Sequence, residues 1–360
     1  MEGIEIRINV SPDVAKEHGL EGTRREMARE FQKQAGWVLA ELFRESMSTA
    51  GGEAVDSAEF DPRRDRKVSR GKDGFLFLDN DNNQVMAQHA GLVRFTEAQL
   101  EHWRLLLENR IAWLARRSGR YYFLVAPNAH SVYTDKLPEH VSSAEQRPVH
   151  ALIDHLNERS YARLVYPVEE LRRERDRSVY PRTSSYWSDL GAFIAYRVLI
   201  AEIRRELPGR VLELGDFEQS EEIRPGDLGN KLDPVERSPV VRLRLREPRA
   251  RLAFDNGIRN NGRRVEFEGD PDDRRSCLVF GDSFTAPILP FLAESFGRLV
   301  FAHLPTFDHT LVERERPDVV VTLLNERFLI RPPIDVPSRT LEQHEAEKRA
   351  RLAEAEKRRV

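Results

Sequence analysis

Five short apolar runs, interspersed with stretches of helical period, set the fold class of this chain before any single motif does. They lie at residues 120–125, 162–166, 276–280, 298–302 and 318–323, and each is five or six residues long. Tyr121-Tyr122-Phe123-Leu124-Val125 and Val319-Val320-Val321 show their character: β-formers without alternation, as in strands buried on both faces. The first two runs give out at Pro127 and Pro167, whose rings cannot donate to a ladder. Amphipathic segments at 96–117, 149–157, 191–207 and 286–296 separate them. Short apolar strands spaced by amphipathic helices predict an α/β domain, a parallel sheet flanked by helices.

Residues 213–270 break this rhythm. Alternation over 240–245, and over 251–267 around Asp255-Asn256-Gly257 and Asn260-Asn261-Gly262, predicts a β-rich insertion of hairpins. Residues 1–70 read as an appendage. Ile4, Ile6, Ile8 and Val10 alternate with polar residues, Thr23-Arg24-Arg25-Glu26 has capping-box spacing, and Met27, Phe31, Val38, Leu42 and Phe43 share a helical face. That face either docks on the main domain or binds a protein partner. Residues 48–72, rich in Gly, Ser, Asp and Arg, read as a linker. The end, 336–360, reads as a charged tail, helical with little to bury or unstructured.

Composition removes several functions. Lys and Arg number 57 against 60 Asp and Glu, so no general basic surface for nucleic acid is expected. Only eight of the 57 are lysine, a bias that fits codon preference or recognition of anions and sugars. The single cysteine, Cys277, excludes an intramolecular disulfide and a cysteine-based zinc site. With no HExxH, EF-hand loop, P-loop or GxGxxG turn, neither a metal nor a cofactor is expected. The first residues lack a basic-then-apolar export signal, and no apolar run nears the roughly 18 residues of a membrane span. A cytoplasmic location and no membrane span are therefore expected.

Gly281-Asp282-Ser283-Phe284 follows an apolar strand and opens a helical segment. In an open α/β sheet, ligands gather at the carboxyl ends of strands, and the unpaired amides of the next turn face a developing oxyanion. Ser283 is the candidate nucleophile; a helix-capping serine is the plainer alternative. The neighbourhood adds to this. Leu278 to Phe284 resembles the nucleophile block of the alginate O-acetyltransferase type of SGNH hydrolase-like domain, the AlgX/AlgJ-like family. Gly71-Lys72-Asp73-Gly74-Phe75-Leu76-Phe77-Leu78 resembles its opening block. Val125-Ala126-Pro127-Asn128-Ala129-His130-Ser131 resembles the next, Gly226-Asp227-Leu228 a short block in the insertion, and Pro317 to Val321 with Glu326-Arg327-Phe328-Leu329 the last. The ordered set covers residues 71–330. It implies a flavodoxin-like SGNH fold over 71–335 and action on a polysaccharide or acetylated glycan through a serine ester.

The family's base and acid come from an Asp-x-His-Trp block, here Ser184-Ser185-Tyr186-Trp187. Ser184 stands at the aspartate position and Tyr186 at the histidine position. Imidazole titrates near 6.5 and phenol near 10, so forming a phenolate at pH 7 costs about 4 kcal/mol before any proton moves. A serine cannot orient or stabilise an imidazolium, a role worth roughly 10⁴ in rate in the best-studied triad. The resemblance also implies that Asp282 and His130 line the cleft, a polar loop residue being the plainer alternative for His130, while Ala129 stands where the family tends to carry a lysine. Trp187 reads as both core and cleft wall, since an aromatic face suits stacking on a sugar. Glu326-Arg327 reads as a structural ion pair or a ligand contact, and Asp308-His309 or His303 as a possible substitute base. Three functions follow: a catalytically impaired glycan or partner binder, an active O-acetyltransferase or acetylesterase using Ser283 with a non-standard base, and a scaffold working through the N-terminal helix.

Overall fold

The computed structural model describes residues 67–357; the N-terminal strand and helix, with the partner reading that rests on them, lie outside the described residues. In chain order the strands are β1 (Val68–Arg70), β2 (Leu76–Leu78), β3 (Arg120–Ala126), β4 (Leu164–Val165), β5 (Phe217–Arg224), β6 (Ser238–Leu245), β7 (Arg251–Asp255), β8 (Arg264–Glu268), β9 (Ser276–Gly281), β10 (Arg298–Ala302) and β11 (Val319–Asn325). Seven of them form one sheet in the order β4-β3-β11-β9-β10-β8-β7. The first five are mutually parallel, while β8 and β7 add antiparallel at one edge.

Numbered from β9 through β11 and then back to β3 and β4, the parallel strands lie in the order 2-1-3-4-5. That is the flavodoxin order with the chain start moved to a different loop. Its switch point, where crossovers leave in opposite directions and open a crevice, falls between the carboxyl ends of β9 and β11.

The apolar runs form strands because both of their faces are buried. Cys277, Val279, Val319, Val321 and Leu323 pack into one core with the helix Asp189–Arg204, which contributes Leu190, Phe193, Leu199, Ile200 and Ile203. Leu278, Phe280 and Val320 point the other way, onto Trp113 and Leu311, and Phe123 and Val125 meet Trp103, Leu107 and Leu152 beside them. Each such side chain contributes about 1.5–3 kcal/mol of transfer energy, so the sheet's centre is the most costly part to disturb.

The insertion divides in two. β7 and β8 extend the main sheet, whereas β5 and β6 make a separate ribbon. That ribbon is fastened to the start of the helix Asp189–Arg204, whose Asp189 carboxylate accepts from the Leu243 amide at 3.1 Å and from Arg242 at 3.0 Å. Val68–Arg70, within the stretch read as linker, pairs antiparallel with β2. The tail is a helix, Leu341–Lys357, seated by buried Leu341, whose amide donates to Asp308 Oδ2 at 2.8 Å. Among the described residues no helix is long and apolar enough to cross a membrane.

Candidate functional site

Ser283 stands at the switch point, one residue beyond Asp282 at the end of β9, and opens the short 3-10 helix Ser283–Ile288. Asp282 builds this corner. Its Oδ1 accepts from the Phe284 amide at 2.7 Å and its Oδ2 from the Asn325 amide at 2.7 Å, so one carboxylate caps the helix and ties β9 to the end of β11. Burial pushes the Asp282 carboxyl up to about 6, against those two amides, which favour the charged form. Gly281 is required by space. A Cβ there would lie 2.2 Å from Thr285 Oγ1 and 2.6 Å from the Leu323 carbonyl oxygen.

The second wall is the loop before the helix Asp189–Arg204, which is capped by Ser188 Oγ accepting from the Gly191 amide at 3.2 Å. That loop presents Tyr186, whose hydroxyl lies 2.8 Å from Ser283 Oγ, with either oxygen able to donate. The Tyr186 ring stacks on Phe284 with centroids 4.7 Å apart, and Trp187 meets Phe284 edge-on at 5.6 Å. Ser184 does not touch Ser283. Its hydroxyl accepts from the Tyr186 amide at 3.0 Å and donates to Asp227 Oδ1 at 3.1 Å. The structure thus brings Ser283 and Tyr186 together and puts Ser184 behind them.

The three residues expected to line the cleft are otherwise occupied. Both Asp282 oxygens are taken by backbone amides. Trp187 is 4% exposed, because the helix that follows turns its ring into the core. His130 is buried: its Nε2–H donates to the Leu78 carbonyl at 3.0 Å, and its ring packs on Phe77 and His89. Burial holds His130 down at about 4, so it is a neutral structural group.

The substitute bases are absent from the site too. His309 packs edge-on against Trp113 and Phe307 on the sheet face opposite the helix Asp189–Arg204. His303 continues the β10–β8 ladder through the Arg263 carbonyl, drawn toward the antiparallel edge. Glu326 pairs with Arg147 at 3.1 Å rather than with its neighbour Arg327. It also accepts from the Asn128 amide, Ser131 and Tyr166, a saturated structural carboxylate. Arg327 instead donates to Asn325 Oδ1 at 2.9 Å and lies over the Phe284 ring. Sequence reasoning gave Asp227 no role; its only signal is a Gly-Asp-Leu string inside a β-rich insertion. Among the described residues no group of three or more His, Cys, Asp or Glu could hold a metal ion.

The family described as "SGNH hydrolase-like domain, acetyltransferase AlgX" matches residues 68–301, nearly two thirds of the chain. No curated protein matches the sequence. Among solved structures the chain is similar to Bacillus cereus PatB1, at 16% identity and a TM-score of 0.52, over 65% of this chain and 93% of that one. The same protein with a sulfonyl adduct gives 15% and 0.51, over 64% and 88%. The O-acetyltransferase domain of Pseudomonas putida AlgJ is 18% identical over 78% of this chain and 99% of that one, with a TM-score of 0.48. At these identities the likeness is one of fold.

Proposed function

We propose, since the chain belongs to the SGNH hydrolase-like acetyltransferase AlgX family, that its Ser283 site binds a polysaccharide or acetylated glycan without turning it over through a serine ester. Acyl transfer requires Ser283 Oγ to bond to the acyl carbon while its proton passes to a base. One observation carries the reading: the side chain bonded to Ser283 Oγ is the Tyr186 hydroxyl, and among the described residues no imidazole or carboxylate bonds to either oxygen. A hydroxyl pair offers donors and acceptors to a sugar but no strong base. Two measurements test this. An acetylated oligosaccharide should raise the melting temperature of the wild-type protein and not that of Ser283→Ala with Tyr186→Phe. An aryl sulfonyl fluoride should label Ser283 no faster than an ordinary exposed serine. Rapid labelling that Ser283→Ala abolishes overturns the proposal.

One observation favours a second reading, an active acetyltransferase or acetylesterase. The 2.8 Å Ser283–Tyr186 contact is within the reach a general base needs. Under that reading Tyr186→Phe abolishes hydrolysis of an aryl acetate that the wild type cleaves; an inactive wild type removes it.

A further inference from the structure

We propose that Asp227, carried by the insertion, is a positioning residue for the Ser283 site, holding the Tyr186 hydroxyl against Ser283 through Ser184 and Ser185. The inference goes beyond the preceding one, since it holds whether the site binds or transforms its ligand.

The turn between β5 and β6 grips the loop at residues 183–186 along its length. Thr183 O accepts from the Leu228 amide at 3.2 Å and the Gly229 amide at 3.0 Å, and Thr183 Oγ1 accepts from the Gly226 amide at 3.1 Å. Asp227 then takes the next two residues. Its Oδ1 accepts from the Ser185 amide at 2.7 Å and from Ser184 Oγ at 3.1 Å, and its Oδ2 accepts from Ser185 Oγ at 2.7 Å. With its hydroxyl proton committed to Asp227, Ser184 Oγ offers a lone pair to the Tyr186 amide at 3.0 Å. The relay therefore runs from carboxylate to serine to the backbone of the residue that meets Ser283. Bonds to an ionised acceptor are roughly twice as strong as neutral ones, and three converge on this carboxylate. The approach is as close as backbone allows: a Cβ on Gly226 would fall 2.1 Å from the Thr183 carbonyl oxygen. Lys231 donates to the Asp227 carbonyl at 2.9 Å and stands 3.9 Å from its Oδ2. Among the described residues the partners of the Asp227 carboxylate are Lys231 of its own turn and the Tyr186 loop.

The test reads the Tyr186 hydroxyl directly. Full-length protein carrying 3-fluorotyrosine has eight tyrosines, and the fluorine resonance of Tyr186 is identified by its loss in Tyr186→Phe. Ser283→Ala gives the displacement produced by an undocked hydroxyl. Asp227→Ala should move the resonance by at least half that displacement, and should move it little further once Ser283 is already alanine. Asp227→Asn keeps the shape but replaces one acceptor with an amide nitrogen, and should move it the same way; it carries the test if the alanine variant does not fold. Leu311→Ala, which destabilises the opposite face of the sheet, should leave the resonance in place. A resonance unmoved by both Asp227 variants, or moved equally by Leu311→Ala, overturns the proposal. Neither glycan binding nor serine chemistry enters this readout, so its failure and that of the binding reading are distinguishable.

Discussion

Removing one oxygen atom, by Tyr186→Phe, separates the two uses to which the Ser283–Tyr186 contact can be put. The phenyl ring keeps its stack on Phe284 at 4.7 Å, so the change deletes a hydrogen bond and leaves the packing. Ser283 is only half-buried and water can replace the lost partner, so the net cost is about 0.5–1.5 kcal/mol. Stability alone cannot discriminate; reactivity can. Were the phenol the base that activates Ser283, an ordinary phenol at pH 7 would offer about one phenolate in a thousand, about 4 kcal/mol of handicap. Even so, it would be the serine's proton acceptor, and its removal would drop labelling of Ser283 by an aryl sulfonyl fluoride to the level of Ser283→Ala. If the hydroxyls only hold each other, Tyr186→Phe should leave labelling slow and within about threefold of wild type. The assay is intact-mass labelling over time at pH 6 to 9. Rapid wild-type labelling with a tenfold or greater loss in Tyr186→Phe would refute the reasoning.

Three further outcomes follow from the packing. Ser184→Asp with Tyr186→His should leave aryl acetate hydrolysis undetectable, because an imidazole ends short of where the phenol oxygen sits and Asp227 pins the loop; measurable turnover would show that the loop can move. Arg147→Met leaves the Glu326 carboxylate, 4% exposed, without its cation, and should cost about 3–5 kcal/mol in denaturant unfolding, against under 1 for the exposed Arg205→Met. The stability–pH profile should carry two opposed features. His130, held down at about 4, contributes stability that is present above 6.5 and is lost as pH falls through 4. Asp282, raised to about 6, contributes stability present below its ordinary 3.8 and lost as pH rises through 6, at most about 3 kcal/mol. His130→Gln, which keeps a donor for Leu78, should flatten the first feature, and Asp282→Asn the second.

What the sequence made legible, and what it hid, divides along one physical line. β10 spans the apolar run at 298–302, and β3, β9 and β11 fall within two residues of theirs, because burial on both faces leaves no freedom in which residues are apolar. The edge strand β4 shrinks to Leu164–Val165, having one neighbour to pair with. β5 falls inside the stretch read as a β-rich insertion, but no pattern singled it out as a strand. Seven of its eight residues are exposed, several of them glutamates, and only pairing with β6 extends it. The site divides in the same way. Ser283 was legible because a strand, a glycine and a helix start surround it in sequence. Asp227 showed only as part of a Gly-Asp-Leu block and its role did not, since its contacts lie 42 and 43 residues back. Glu326 finds Arg147, 179 residues away, rather than the adjacent Arg327, for the same reason. The inward turn of His130 depends on side-chain direction, which the period of a segment does not specify, whereas Trp187 was already read as partly core.

The two departures at 184 and 186 are a single event in physical terms. An imidazole carries two nitrogens on opposite edges, so one can face a serine while the other faces a carboxylate. A phenol carries one polar atom, and in Tyr186 that atom is spent on Ser283. No second donor remains for an acid at position 184 to receive. A carboxylate there would be nearly buried, since Ser184 is 9% exposed, and would sit beside Asp227, whose Oδ1 is 3.1 Å from the Ser184 oxygen. Two carboxylates at that distance cannot both ionise without a large penalty. A serine suits the position better: its hydroxyl donates to Asp227 and accepts from the Tyr186 amide, so it is paired both ways. With tyrosine at the position the resemblance gives to a histidine, an aspartate at 184 would have no partner, and the site is instead a hydroxyl network anchored on the insertion's carboxylate. A site built this way is stable as it stands, which is what the proposed binding function requires of it.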